Sequence, residues 1–168
     1  MNELLLKTSR FTVERREFTA SDGRPITREI VVHPGAVVIL PMIDPQRIVM
    51  TRNYRYTIEK DLWELPAGTI EPNESPIETA HRELQEETGY RAGTMTPLTE
   101  FYTSPGVMTE KMVAFVATGL KHGAQHLDAG ERIVVELFDL ERVRRWLVNG
   151  ELRDGKTIAV LGTYFARM

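Results

Sequence analysis

Residues 35–42 read GAVVILPM, an apolar run too short to cross a membrane and suited to a strand buried on both faces. Next comes RIVMTRNYR (47–55), which alternates more and follows the turn-like DPQ, so a second strand is expected there. WELPAG (63–68) carries a Pro and a Gly that are expected to stop regular structure. Upstream, RFTVERREFTA and ITREIVV flank SDGRP, whose Asp22-Gly23 and Pro25 are turn formers, so residues 3–32 read as strands. Further strands are expected at 96–103, 111–119 and 132–138.

Between these lies a helix with marked ends. Ser75 is a good N-cap, Pro76 suits the first helical position, and Glu78 completes an S-x-x-E capping box. Gly89 stands where the C-terminal stop belongs. Ile77, Ala80, Leu84 and Thr88 follow the 3–4 spacing of a packed side, and Glu83, Glu86 and Glu87 are assigned to another side. A helix at 140–149 is expected to be capped by Asp139 and stopped by Gly150, and a last one to start near Asp154. Helices mixed with many strands suggest sheet layers covered by helices.

The acidic helix poses a problem. Glu83 and Glu87 form an i,i+4 like-charge pair, which costs an isolated helix about 0.2–0.5 kcal/mol. A hard cation turns this repulsion into attraction, because Mg²⁺ and Mn²⁺ prefer oxygen ligands. Arg82 is near enough to pair with Glu78, Glu86 or Glu74 and so to aim the ligand side chains. The alternative is a solvated acidic face.

Composition narrows the field. The 168 residues suffice for one domain; 42% are hydrophobic and 27% charged, an ordinary soluble balance. No cysteine is present, which excludes disulfides and thiolate metal sites. MNELLLKTSRF is too short for a signal-peptide core or a span, so a cytoplasmic protein without membrane partners is the default. Net charge is −3 with no long basic run, which argues against a nucleic-acid partner. His122 and His126 are four apart in a loop-like KHGAQH, and the arginines of RVRRW suit a solvated helix face, so neither is taken as a site.

The full pattern is Gly68, Glu74, Arg82-Glu83-Leu84, Glu86-Glu87, Gly89 and Tyr90 at fixed spacing. It resembles the Nudix box, with Tyr90 where aliphatics are commoner. REIVVHPGAVVILPM, RNYRY, LWELPAGTIEPNE, TSPG, GERIVVELFDLE and DGKTIAVL extend the likeness to the ADP-ribose pyrophosphatase branch of the family. One departure is Asn53, where glutamine is usual. The resemblance implies an α/β (α+β) fold, a Nudix-type α/β/α sandwich with a mixed sheet. Residues 1–33 would form an antiparallel, dimer-forming strand region and residues 34–168 the Nudix domain.

The resemblance also implies a chemistry: Mg²⁺- or Mn²⁺-dependent hydrolysis of ADP-ribose to AMP and ribose 5-phosphate by a homodimer. The rivals are another nucleotide sugar, such as GDP-mannose, and a non-catalytic nucleotide sensor. Glu83, Glu86 and Glu87 would ligate the cation, with the Ala67 carbonyl. Glu131 in the loop LDAGERI matches the branch's base, with Asp128 in reserve; Glu86 and Arg82 complete the expected catalytic group. Arg55 would face the diphosphate. Glu64 would accept substrate hydroxyl or amine donors, or else form a salt bridge. Arg28 and Glu29 match substrate-binding positions near the dimer interface. Pro105 and Gly106 would shape a substrate loop, and Glu110 would touch substrate or cap a strand.

Overall fold

A computed structural model describes residues 2–127 and 132–168. In chain order the elements are β1 (Asn2–Lys7), β2 (Thr12–Thr19), β3 (Pro25–Val32), β4 (Ala36–Asp44), β5 (Arg47–Arg55), β6 (Lys60–Glu64), β7 (Ala67–Thr69), α1 (Pro76–Thr88), β8 (Tyr90–Arg91), β9 (Thr94–Tyr102), β10 (Lys111–Thr118), β11 (Lys121–His122), β12 (Ile133–Asp139), α2 (Leu140–Val148) and α3 (Gly155–Ala166). The main sheet runs β12-β5-β4-β10-β9. It is mixed, because β4 and β10 are parallel while the other pairs are antiparallel.

The apolar run forms β4, and its alternation explains the layers. Ala36, Val38, Leu40 and Met42 face one core with Val143 of α2 and Val160 and Leu161 of α3. Val37 and Ile39 face a second core with Ala80 and Leu84 of α1. A strand buried on both faces has no room for polar side chains, hence the unbroken run.

β4 and β5 pair only near their hairpin, at Met42–Ile48 and Asp44–Arg47. Beyond it they part. β5 takes β6 as partner from Thr51 to Arg55, and β4 takes β7 at Ala36–Val38. Leu65 and Pro66 cross between the two, and the Ile39 amide donates to the Pro66 carbonyl at 2.9 Å. Regular structure breaks at Leu65 and Pro66, as expected, but resumes at once in β7, so the expected stop at Gly68 is not observed. A proline has no amide to donate, but its carbonyl still accepts, so pairing resumes one residue later.

Helix α1 keeps its expected ends. The Ser75 amide donates to the Glu78 carboxylate at 2.9 Å, and Gly89 adopts φ 74°, a left-handed conformation suited to glycine. Its packed side differs from the expected one. Ile77 is 43% exposed, whereas Glu87 is buried beside Ala80, Leu84 and Thr88. Glu87 lies three residues after Leu84 and seven after Ala80, so the helical period itself turns it inward. Of the later helices, α3 has the expected cap, Asp154 accepting from the Thr157 amide at 2.9 Å; Asp139 sits at the N-cap of α2 without a side-chain cap bond.

β1–β3 form a separate antiparallel sheet, with every residue of β1 exposed. Val31 links it to the body: its amide donates to the Val107 carbonyl at 3.0 Å, and its carbonyl accepts from the Thr109 amide at 2.9 Å.

The revised helix face makes a prediction. Leu84→Ala should cost about 2–5 kcal/mol in urea denaturation, as cavity formation in a core does. Ile77→Ala should cost under about 1 kcal/mol. Comparable losses would contradict the observed packing.

Candidate active site

The wall of the site is built by α1 lying against β7. The carboxylate of Glu83 occupies the space a side chain on Gly68 would need; a Cβ there would lie 1.9 Å from Glu83 Cδ. Gly68 is thus required by space. One residue earlier, the Ala67 amide donates to Glu87 Oε2 at 3.1 Å. The short strand β7 thereby seats two of the three glutamates.

Arg82 organises the rest. Its Nε and Nη2 each meet a Glu74 oxygen at 2.9 Å, a bidentate pair. Its Nη1 donates to Glu83 Oε1 at 2.7 Å and to Glu86 Oε2 at 2.9 Å. Glu74 also accepts from Thr79 Oγ1 at 2.8 Å. Glu78, a possible partner of Arg82 from sequence, is instead committed to the helix cap. The Arg82 guanidinium holds the Glu74 carboxyl down at about 2, against an ordinary 4.5, and its own pKa is raised mainly by Glu74.

A second ionic network lies at the gap between β4 and β5. Glu64 is 1% exposed. Its Oε1 accepts from Arg55 Nε at 2.7 Å, and its Oε2 accepts from both Arg55 Nη2 and Lys156 Nζ, the latter at 2.5 Å. Lys156 Nζ also donates to Asp154 Oδ1 at 2.9 Å. The Arg55 pKa is raised, chiefly by this bond to Glu64. Glu64 is thus the centre of two ion pairs, with Arg55 and Lys156.

Two cavities meet here. One, of about 740 Å³, is lined by Glu83, Glu86, Glu87, Arg82 and Asn53. The other, of about 680 Å³, is lined by Glu64, Glu110, Lys156, Ile58 and Tyr102. Arg55, Ala67, Gly68 and Thr69 belong to both walls.

The NUDIX domain pattern matches residues 32–161. The chain belongs to the NUDIX family. The ADP-ribose pyrophosphatase of Bacillus subtilis (strain 168) is 41% identical over 138 residues, 81% of this chain and 75% of that protein. The methanol dehydrogenase activator of Bacillus methanolicus is 40% identical over 139 residues, 82% and 75% of the two chains. A crystal structure of an ADP compounds hydrolase matches with a TM-score of 0.86 at 26% identity, over 99% of this chain and 90% of that one. The protein is an enzyme of the Nudix pyrophosphatase type.

Within this Nudix frame the expected residues divide into groups. Ala67, Glu83, Glu86, Glu87, Arg82, Arg55, Glu64 and Glu110 are brought to the paired cavities. Glu110 accepts from Thr103 Oγ1 at 2.6 Å, with His33 Nδ1 at 3.6 Å. Asn53, despite its shorter reach than glutamine, still lines the carboxylate cavity. Pro105 and Gly106 lie exposed in the turn between β9 and β10 and line neither cavity. Arg28 and Glu29 sit on β3; Arg28 Nη1 donates to the Thr27 carbonyl and Glu29 accepts from Arg15, so one chain does not bring them to the cavities. Glu131 and Asp128 lie outside the described residues.

The segment before those two is anchored on the Nudix helix. The Gly123 amide donates to the Gly89 carbonyl at 2.6 Å, Gln125 Nε2 to the Glu87 carbonyl at 2.6 Å and the His126 amide to the Glu86 carbonyl at 2.9 Å. These supply donors to carbonyls that a helix end leaves unpaired. His126, set aside as a metal ligand, thus contributes its main chain.

Sequence reading missed Lys156 and Asp154 as site residues. A signal existed. Lys156 stands in the first turn of α3, where the helix dipole disfavours a cation. A lysine placed there calls for nearby acids, and two are present.

The donor chemistry fits a hard divalent cation. Glu83, Glu86 and Glu87 offer carboxylate oxygens on one cavity wall, which Ala67 also lines. Among the described residues no ready cage of three acidic or histidine side chains is closed; Arg82 holds Glu83 and Glu86.

The depressed Glu74 pKa sets a pH dependence. A carboxyl lowered on folding stabilises above its ordinary value, and that contribution is lost as pH falls from about 4.5 towards about 2. Glu74→Gln should lower Tm at pH 7 and shrink the acid loss across that window in calorimetry. An unchanged acid profile would show that the Glu74–Arg82 pair is not the source.

Proposed function

We propose that the enzyme hydrolyses the diphosphate of ADP-ribose to AMP and ribose 5-phosphate, using Mg²⁺ or Mn²⁺. The observation that carries this reading is the pair of cavities meeting at Arg55. Such a shape suits a substrate of two bulky halves joined by a short anionic link. The similarity to an ADP-ribose pyrophosphatase supports the choice of halves.

In this reading Arg55 meets the diphosphate with a planar fork matched to phosphate oxygens. Glu64, both of whose oxygens are engaged by Arg55 and Lys156, meets these two cations rather than the sugar. Glu83, Glu86, Glu87 and the Ala67 carbonyl would hold the cation, and Arg82 keeps Glu83 and Glu86 aimed. When bound, the cation neutralises phosphate charge and makes water more acidic. The water oxygen bonds to one phosphorus, the bond from that phosphorus to the bridging oxygen breaks, and the proton passes to a base. Glu131 is assigned that task on sequence grounds, with Asp128 as the alternative. Anchoring residues 123–126 on the last turn of α1 fixes where the following segment starts.

A homodimer belongs to the same reading. Leu4 and Leu6 of β1 are 57% and 50% exposed and lack cover within one chain. A second copy would cover them and bring its Arg28 and Glu29 towards a site.

Two measurements test this. ADP-ribose should be cleaved with higher kcat/KM than GDP-mannose, with AMP and ribose 5-phosphate as products, and Glu86→Gln should lower kcat on the order of 10²-fold with the fold kept. Preference for GDP-mannose, or full turnover by that variant at limiting Mg²⁺, would overturn the reading. Light scattering should give a dimer mass at assay concentration; a fully active monomer would remove the dimer from it.

A further inference from the structure

Lys156 is a cation of the site with no direct part in the chemistry above. It is only 15% exposed on its side chain, and it stands at the positive end of α3. Its neighbours account for both facts. Nζ donates to Glu64 Oε2 and to Asp154 Oδ1, and Asp154 is itself fixed by Thr157, whose hydroxyl donates to Asp154 Oδ2 at 2.6 Å. Thr157 Oγ1 in turn accepts from the Leu65 amide at 2.8 Å, which ties α3 to the crossing between β6 and β7. Lys156 is therefore clamped against the body of the protein, and Glu64 with it.

Arg55 is different. It shares the Glu64 carboxylate, yet its side chain is 40% exposed and lines both cavities. Glu64 Oε2 is divided between the two cations. Arg55, Lys156, Glu64 and Asp154 together carry two positive and two negative charges. Without Lys156 the four-residue neck would hold a net negative charge, and Arg55 would be the sole cation left to Glu64.

We propose that Lys156 is a positioning residue for the diphosphate: by carrying part of the Glu64 charge it leaves Arg55 able to turn its donors to the substrate anion. The inference rests on the reading of Arg55 as the diphosphate contact. Lys156 itself touches the substrate nowhere in this scheme. It acts through Glu64, and the effect falls on anion binding more than on the bond-breaking step.

The test compares Lys156→Met, Lys156→Arg and the double variant Lys156→Met/Glu64→Gln, with Tm measured for each. Hydrolysis of ADP-ribose should show KM raised about tenfold or more in Lys156→Met with kcat within about threefold of wild type. Lys156→Arg should recover most of the loss. The double variant should also recover it, because the acceptor that captures Arg55 is gone. Calorimetric binding of inorganic pyrophosphate with Mg²⁺ reads the same effect without catalysis, so a wild type that fails to cleave ADP-ribose would refute the proposed function while this claim is still decided by pyrophosphate. A merely structural lysine would lower Tm in Lys156→Met and leave KM and pyrophosphate affinity unchanged; that result overturns the proposal. If Lys156→Met does not fold, Glu64→Gln alone decides: tighter pyrophosphate binding supports the proposal, and equal or weaker binding overturns it.

Discussion

The parting of β4 from β5 is the constraint on which the site depends. Two strands that paired along their whole length would close the sheet and leave no opening. Instead β4 is held on both faces by apolar layers, while β5 turns to β6 after the hairpin. Leu65 and Pro66 span the gap, so Glu64 and Ala67 emerge on either side of it. Arg55 at the end of β5 and the helix α1 over β7 then face a common opening. The cores on the two faces of β4 keep that opening from collapsing.

Charge is distributed around the opening by one repeated device. In each half a guanidinium is pinned by a buried or half-buried carboxylate: Arg82 by Glu74, and Arg55 by Glu64. Pinning removes much of the rotamer freedom of a long side chain before any ligand arrives. The two halves differ in what remains available. Arg82 spends its donors on Glu83 and Glu86, which offsets the repulsion within the helix. Arg55 is more exposed, and its acceptor is shared with Lys156.

Much of this was legible in the chain. Short-range rules sufficed for the capping box at Ser75 and Glu78, the glycine stop at Gly89 and the buried run of β4. The spacing of Glu83, Glu86 and Glu87 located the carboxylate wall. What was not legible depended on contacts distant in sequence. Pairing of Leu65 with Thr157, and of Glu64 with Lys156, joins residues more than ninety apart. No local pattern encodes that. Ile77 departs from the expected packed side because apolar spacing alone does not decide burial, and Glu87 joins that side although the spacing of the three carboxylates assigns it to another. Its acceptor role towards the Ala67 amide made the inward position tolerable.

The two cavities share only four lining residues, Arg55, Ala67, Gly68 and Thr69, and this bears on how such an enzyme can diverge. Ile58, Leu62, Tyr102 and Ala159 line the outer chamber. None of them hydrogen-bonds to the carboxylates of α1. Drift at these four positions can reshape that recess while the carboxylate wall of α1 stays intact. Change in one recess and retention of the acidic wall in the other thus fall to separate rooms of the same fold, and a lineage can explore the first without risking the second.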